Sequence, residues 1–139
     1  MLKVIIDTNL LVSAFLKKTS TSRSLIEKWK RGAFILVISE PILREIIEVL
    51  SRPRIRALTK MTKEEIGELI SLIIEKALMV KPKRKIRLIK DPKDSMFLEA
   101  ALVSSADYLV TGDKHLLSFK KFKKTKIIKV KEFLNLFSK

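Results

Sequence analysis

A chain of 139 residues has the size of one domain and can bury a hydrophobic core without disulfides or other cross-links. Hydrophobic residues make up 47% and charged residues 32%, which excludes intrinsic disorder, and the lack of Cys excludes disulfides and zinc–thiolate sites. Lys and Arg number 30 against 15 Asp and Glu, so the formal net charge is +15. This surplus indicates nucleic acid as a partner, with a merely solvated basic surface as the alternative.

The first strand is predicted at 4–6, where three β-branched residues in a row fit a strand buried on both faces of a parallel sheet. It ends at Asp7, whose charge also interrupts what would be the hydrophobic stretch of a signal peptide. No later run approaches membrane-spanning length. We therefore expect one domain over 1–139 that does not associate with a membrane and is located in the cytoplasm.

The next elements repeat this strand-to-helix pattern. A helix is predicted within 10–16, and a second apolar run at 34–38 predicts another buried strand. Ser39 follows as an N-cap, and Pro41 lies in the first turn of the helix that Ser39 caps. We predict that this helix ends within 51–54. Between these units we predict a polar loop at 17–22 and a helix that starts at Ser22 or Ser24 and ends at Gly32.

The second half continues in the same way. Thr62 opens a capping box before an amphipathic helix that extends to Leu78, and a basic connection follows over 81–90. An Ala-rich helix follows Asp94. The remaining predictions are a buried strand at 108–110, a short helical stretch at 114–119, a basic loop at 120–126, an edge strand at 127–130 and a closing helix at 132–137.

Strands and helices alternate throughout, so the predicted class is α/β with a parallel sheet covered on both faces. In such folds, strand carboxyl ends and the amino ends of the following helices share one edge of the sheet. Four acidic residues occupy such positions: Asp7, Glu45, Asp94 and Asp113. We expect them to converge there as a negative pocket on a positive chain.

Clustered carboxylates repel one another unless they hold protons or share a cation. Oxygen-only ligands suit Mg²⁺ and Mn²⁺, and bound water on such ions can be activated as a nucleophile. His115 is the only His, and it is expected at the surface beside the site. Each acid also has a simpler interpretation, because Asp7 and Asp113 fit helix N-caps, Asp94 favours a helix dipole and Glu45 fits a solvated helix position.

At this point the sequence resembles a known family. Ile6-Asp7-Thr8-Asn9, Ile38-Ser39 followed by Glu45, Asp91-Pro92-Lys93-Asp94 and Val110-Thr111-Gly112-Asp113 occur in the order found in PIN domains of the toxin-type, VapC-like branch. The resemblance covers essentially the whole chain. It implies a three-layer α/β/α sandwich with a central, mainly parallel sheet, and a metal-dependent ribonuclease site.

The resemblance also assigns residues. The family's acidic quartet corresponds to Asp7, Glu45, Asp94 and Asp113, which would bind Mg²⁺ or Mn²⁺. Supporting positions correspond to Asn9, Ser39, Asp91 and Thr111. Ser95 and His115 depart from the pattern, since relatives often have an acid at each of these positions. The implied partners are RNA, a small antitoxin protein and a second copy of the chain.

Lysines near the predicted site are candidates for holding RNA phosphates, and we select Lys90, Lys93 and Lys114. A different class of function stays open, namely a nucleic-acid-binding or partner-regulated module in which the acids are only helix caps. A phospho-acceptor receiver domain also has strand-end Asp residues, but this chain lacks the acidic pair expected at the first strand end.

Overall fold

Helices and strands alternate along the computed structural model, which describes residues 1–16, 19–86 and 91–138. The strands are β1 (Lys3–Ile6), β2 (Ile35–Ser39), β3 (Leu78–Val80), β4 (Tyr108–Val110), β5 (Lys121–Phe122) and β6 (Thr125–Ile128). The helices are α1 (Thr8–Leu16), α2 (Ser20–Lys30), α3 (Glu40–Ser51), α4 (Pro53–Thr59), α5 (Lys63–Lys76), α6 (Pro92–Ser104), α7 (Lys114–Ser118) and α8 (Val130–Asn135).

The strands form one six-stranded sheet in the order β3-β2-β1-β4-β6-β5. Every neighbouring pair is parallel except β5 and β6, which form an antiparallel hairpin. Because β1 lies between β2 and β4, its carboxyl end is in the middle of the sheet. The backbone N–H of Asp7 extends this ladder by donating to the carbonyl of Val110 at 2.9 Å.

The core lies on both faces of the central strands. Val4 and Ile5 of β1 are 0% exposed, as are Leu36, Val37 and Ile38 of β2. Successive residues of a strand point to opposite faces, so consecutive buried residues require cover on both sides. Helices provide that cover, and the predicted α/β/α sandwich with a mainly parallel sheet is confirmed.

The start of α2 differs from the prediction. The helix begins at Ser20, so the expected polar loop is wrong for 20–22, and residues 17–18 lie outside the described part. Thr19 is the N-cap, and its hydroxyl accepts a hydrogen bond from the Ser22 N–H at 3.0 Å. A run of Thr and Ser offers several equivalent caps, and only packing selects one of them.

Two elements between β2 and α6 were not predicted. Helix α4 buries none of its residues, so its sequence has no apolar stripe to reveal it. The amphipathic helix was expected to reach Leu78, but α5 ends at Lys76 and Leu78 starts β3. Strand β3 lies at the edge of the sheet with Leu78 and Met79 exposed, so it lacks the signature of a buried strand.

The carboxyl-terminal strands are the largest correction. Residues 120–126 were expected to be a loop and 127–130 an edge strand. Instead β5 and β6 form a hairpin, and β6 lies inside the sheet between β4 and β5. Phe122, Thr125 and Ile127 are buried while intervening lysines are exposed, and that density of lysine hid the strand periodicity.

In the part of the chain described here, no helix combines the length and apolar composition needed to cross a membrane.

Candidate active site

Asp7 links β1 to α1 and has a fixed orientation. Its Oδ1 accepts a hydrogen bond from the backbone N–H of Asn9 at 2.9 Å, which is the contact expected of a helix N-cap. Its Oδ2 accepts from the hydroxyl of Thr111 at 2.7 Å. Since both oxygens have donors, the carboxylate is held at the carboxyl edge of the sheet rather than free to rotate.

Thr111 connects two of the predicted acids. It directly follows β4 and is 0% exposed. While its hydroxyl donates to Asp7, the same oxygen accepts a hydrogen bond from the backbone N–H of Asp113 at 3.0 Å. One buried hydroxyl therefore fixes the Asp7 carboxylate and the loop that carries Asp113.

Asp113 begins α7 as its N-cap, and its Oδ1 accepts from the backbone N–H of His115 at 2.7 Å. The His115 side chain is exposed beside the site, as expected. A cleft of about 360 Å³ separates α1 from this loop, and its lining includes Asp7, Asn9 and Asp113. The cleft is therefore open to a ligand that approaches the two aspartates from solvent.

Asp94 lies in the first turn of α6 and is only 9% exposed. The pKa of its carboxyl is raised from 3.8 to about 6, mainly by burial and next by a side-chain hydrogen bond with Asp113. The negative charges of Asp113, Asp91 and Asp7 act in the same direction. Asp7, Asp94 and Asp113 are thus close enough to influence one another electrostatically.

Asp91 is exposed and is the N-cap of α6, with its Oδ1 accepting from the backbone N–H of Lys93 at 2.9 Å. Its carboxylate contributes negative charge to the surroundings of Asp94 without being buried. Asp91 therefore both starts the helix that positions Asp94 and adds to the acidity of the site.

Glu45 lies at the border of the cluster formed by the three aspartates. Its Oε2 accepts from the hydroxyl of Thr8 at 3.1 Å, and its Oε1 is 3.8 Å from the Lys93 ammonium. Glu45 lines a separate depression of about 270 Å³ together with Arg44 and Lys93. Its two partners nevertheless adjoin Asp7 and Asp94 in the sequence, so Glu45 borders the aspartate cluster without belonging to its electrostatic group.

Thr8 also belongs to the site, although it was not among the predicted site residues. It is 2% exposed, and its hydroxyl points toward α3 to hold Glu45. A polar residue directly after a strand-end acid is the signal that marks it. Thr8 and Thr111 thus act as a pair, each holding one carboxylate of the site from a buried position.

The remaining predicted residues have different positions. The Ser39 hydroxyl caps α3 by accepting from the backbone N–H of Ile42 at 3.4 Å, so Ser39 positions the helix that carries Glu45. Lys114 is exposed at the start of α7, next to Asp113. Lys93 is paired with Glu45. Lys90 lies outside the described residues.

The donor set fits a hard divalent cation in chemistry, because it consists of carboxylate and hydroxyl oxygens. Besides burial, the negative charges of neighbouring carboxylates raise the pKa of Asp94. A bound cation would neutralise these charges. Across residues 1–16, 19–86 and 91–138, however, no three acidic, His or Cys side chains are already arranged to hold a metal ion. The aspartates would have to close together around it.

Fold and site together define an α/β protein with an acidic cleft at the carboxyl edge of a mainly parallel sheet. A sequence profile described as a PIN domain matches residues 3–115, and the chain belongs to the PIN domain family. The match includes all four acids of the predicted quartet and ends before β5. The family expected from the sequence motifs is thereby confirmed.

The fold is also similar to that of a chain in the crystal structure of VapBC2 from Rickettsia felis bound to a DNA fragment from their promoter. The two chains are 19% identical with a TM-score of 0.60, and the alignment covers 91% of this chain and 97% of that chain. No curated protein matches the sequence.

Proposed function

We propose that this protein is a ribonuclease that hydrolyses RNA phosphodiester bonds with the help of Mg²⁺ or Mn²⁺. The observation that carries the proposal is the crowding of Asp7, Asp94 and Asp113 at one edge of the sheet in a chain with a net charge of +15. Membership of the PIN domain family supports it. A partly buried acidic cluster in a basic protein is suited to a cation that in turn binds a polyanion.

Asp7, Asp94 and Asp113 would hold the cation, with Glu45 at the border of the site. When bound, the cation supplies a positive charge that neutralises the phosphodiester and lowers the pKa of water for in-line attack. Thr111 holds the Asp7 carboxylate beside the cleft, which limits the movement that this group needs when the aspartates close around a cation. Burial and the neighbouring carboxylates raise the pKa of Asp94 to about 6, so binding of the cation would favour loss of this proton.

Positive side chains at the rim would align the substrate. Lys114 adjoins Asp113 and is exposed, so its ammonium can approach a phosphate next to the reacting one. Lys93 is 3.8 Å from Glu45, and it would exchange this partner for a phosphate or stay as a support for Glu45. Lys90 remains a candidate from the sequence alone.

The test is Asp7→Asn in the folded, purified protein. The wild type is expected to cleave single-stranded RNA only with added Mg²⁺ or Mn²⁺ and to leave 5′-phosphate ends, whereas the variant loses at least about 100-fold in rate because it lacks a ligand charge. Glu75→Gln, an exposed acid on α5, is the matched control. Metal-dependent cleavage at the wild-type rate by the Asp7 variant would refute the proposal.

A second candidate is a binding module without nuclease activity. It is favoured by the hydrogen bonds of Asp7, Asp91 and Asp113, each of which caps a helix. Thermal unfolding separates the two candidates. A carboxylate site raises the melting temperature on addition of Mn²⁺, and Asp94→Asn removes the increase, whereas simple helix caps give no increase in either protein.

The resemblance to the toxin-type branch and the structural likeness to VapBC2 support a further part of the proposal. The chain would be the toxin of a toxin–antitoxin pair, inhibited by a small antitoxin protein and assembled as a homodimer. Expression in bacteria tests the toxin role with the same two proteins. Wild type is expected to arrest growth, and Asp7→Asn is expected to permit it at equal protein level.

A further inference from the structure

The strongest charge feature outside the acidic site lies at the carboxyl-terminal end of the sheet. Between Asp113 and Glu132 the sequence contains eight lysines and no acid. Five of them belong to the hairpin of β5 and β6 or to the residue before it, and all five are exposed. We call this group the lysine hairpin; it consists of Lys120, Lys121, Lys123, Lys124 and Lys126.

The buried side of the hairpin makes its orientation certain. Phe122, Thr125 and Ile127 are 7%, 1% and 4% exposed, and the Thr125 hydroxyl donates to the carbonyl of Ala106 at 2.7 Å. Because strand side chains alternate, Lys121 and Lys126 point to the opposite face, and Lys123 and Lys124 are exposed in the turn between the two strands. The hairpin is therefore a fixed part of the sheet that presents one lysine-covered surface to solvent.

The lysines on that surface oppose one another. Lys121 of β5 and Lys126 of β6 are direct cross-strand partners, and like charges in this position destabilise a hairpin. Among the described residues, no ion pair involves any member of the lysine hairpin. The neighbouring acid, Asp107, instead accepts a hydrogen bond from the backbone of Lys3 at 2.8 Å. In the part of the chain that the structure describes, no acidic side chain is paired with these lysines.

Two members of the lysine hairpin also have an unfavourable backbone conformation. Lys120 has φ of 59° and Lys123 has φ of 53°, in the left-handed region that favours glycine or asparagine. Both lysines therefore have a strained backbone. This backbone strain and the repulsion between the lysines together indicate that the side chains bind a negatively charged ligand.

Phe119 adds an aromatic group beside the lysines. It is 38% exposed and directly precedes Lys120. Flat aromatic surfaces next to ammonium groups suit single-stranded nucleic acid, whose bases stack while its phosphates pair with lysines. An acidic protein segment would use the charge but not the exposed ring. The surface therefore favours single-stranded nucleic acid over an acidic polypeptide.

The lysine hairpin is connected to the acidic site through the sheet. Strand β6 pairs in parallel with β4, and the carbonyl of Ile128 accepts from the N–H of Thr111 at 3.0 Å. Lys126 lies two residues, or roughly 7 Å, before this end of β6. A strand of nucleic acid with one phosphate in the acidic cleft can thus extend onto the hairpin.

We propose that the lysine hairpin and Phe119 form a docking surface for single-stranded nucleic acid, separate from the carboxylates that would carry out cleavage. The surface binds phosphates electrostatically and one base by stacking. The inference rests on the proposed function for the identity of the ligand as RNA. It assigns a role to a segment that lies beyond the matched PIN domain region.

The experiment measures binding of a fluorescent 20-nucleotide oligo-uridine RNA by anisotropy in EDTA, so that cleavage does not contribute. The test variant has Lys121, Lys124 and Lys126 all changed to Gln. Its matched control has Lys30, Arg54 and Lys63, exposed residues of α2, α4 and α5, changed to Gln. Both variants have the same net charge, and circular dichroism verifies that both are folded.

The test variant is expected to lose at least about tenfold in affinity at 100 mM salt, and its plot of log affinity against log salt should be shallower by about 2, because each lost single-strand phosphate contact removes roughly 0.7 from the slope. The control should lose much less. Equal losses in both variants would show that only net charge matters, and no loss in the test variant would exclude the hairpin; either result overturns the proposal.

A second variant tests stacking. Phe119→Leu keeps an apolar side chain but removes the aromatic face, so affinity should fall about fivefold or more while the salt slope stays unchanged. Unchanged affinity, or competition by polyglutamate as effective as that of unlabelled RNA, would contradict a nucleic-acid surface. Cleavage assays in Mg²⁺ separate the two proposals: a wild type that binds through the hairpin but never cleaves refutes only the proposed activity.

Discussion

Asp94 is the residue in which the conflict between stability and function is most direct. It is buried, it shares a hydrogen bond with Asp113, and three other carboxylates raise its pKa. The folded protein therefore binds this proton more tightly than the unfolded chain does. Carboxyl groups with a raised pKa of this kind are concentrated at functional sites, which is the reason to include Asp94 in the candidate site with Asp7 and Asp113.

The raised pKa predicts a pH dependence of stability. Below pH 3.8 Asp94 is protonated in both states, and as pH rises through about 6 the folded state loses stability relative to the unfolded state. The full loss corresponds to about 3 kcal/mol. Asp94→Asn should escape it, so in urea unfolding the variant should be more stable than wild type at pH 7.5 and close to it at pH 4.

Glu75→Gln, at an exposed position of α5, is the control for this comparison and should differ from wild type by the same small amount at both pH values. Mn²⁺ at pH 7.5 should reduce the advantage of Asp94→Asn, because the ion would stabilise only the wild-type carboxylate. A constant difference between Asp94→Asn and wild type from pH 4 to pH 7.5 would contradict the raised pKa.

The strand-end acids were predictable because chain order and sheet topology determine their positions. Asp7 and Asp113 follow buried strands β1 and β4, whose apolar residues are unambiguous in the sequence. What the sequence did not specify was the separation of Glu45 from the aspartates, since this depends on its contacts with the Thr8 hydroxyl and the Lys93 ammonium. Packing, rather than the periodicity of apolar residues in the sequence, determines which side-chain hydrogen bonds form.

Among the elements, those with a continuous apolar run or a capping box were predicted, whereas α4, β3 and the lysine-rich strands β5 and β6 were missed or misplaced. Strand β2 and helix α5 were recognised from an apolar run and a capping box, which the Thr62 and Glu65 contacts confirm. Strand β3 and helix α4 have few or no buried side chains, so their apolar pattern is weak. Pairing with β2, rather than intrinsic preference, makes β3 a strand.

Helix α8 is the element whose contribution to stability is most testable. Phe133 is 0% exposed, and its ring packs edge-on against Phe34 and Phe137 with centroid distances of 5.1 and 5.3 Å. Phe133→Ala should lower the free energy of unfolding by about 3–5 kcal/mol in urea, through lost burial and the cavity left behind. The helix would thereby be shown to belong to the core although it lies beyond the matched family region.

Leu136→Ala is the matched control, because Leu136 follows the same helix but is 49% exposed. Its effect should stay below about 1 kcal/mol. Equal effects of the two substitutions would mean that α8 is not packed as described. Loss of RNA binding by Phe133→Ala at a temperature where the protein is folded would further connect α8 to the neighbouring lysine hairpin.

At the scale of the whole molecule, the charge distribution is the main determinant of behaviour. With a net charge of +15, the positive side chains repel one another in the folded protein. This repulsion is strongest at the end of the sheet where the lysine hairpin lies. The acidic cluster lies at the edge of the same sheet. Attraction of a polyanion by the basic surface and binding of a cation by the cleft are complementary results of this arrangement.

Self-repulsion predicts that salt stabilises the protein. Raising KCl from 10 mM to 1 M shortens the screening length from about 30 Å to about 3 Å, so repulsion among exposed lysines is removed while the packed core is unaffected. A gain of about 1 kcal/mol would raise the melting temperature by about 4 °C.

Lys121, Lys124 and Lys126 changed together to Gln should melt higher than wild type at 10 mM KCl and gain less from added salt. The control with Lys30, Arg54 and Lys63 changed has the same net charge without relieving the cross-strand pair, so it should keep more of the salt dependence. Identical salt dependence of the two variants would mean that net charge alone, and not its concentration on the hairpin, limits stability.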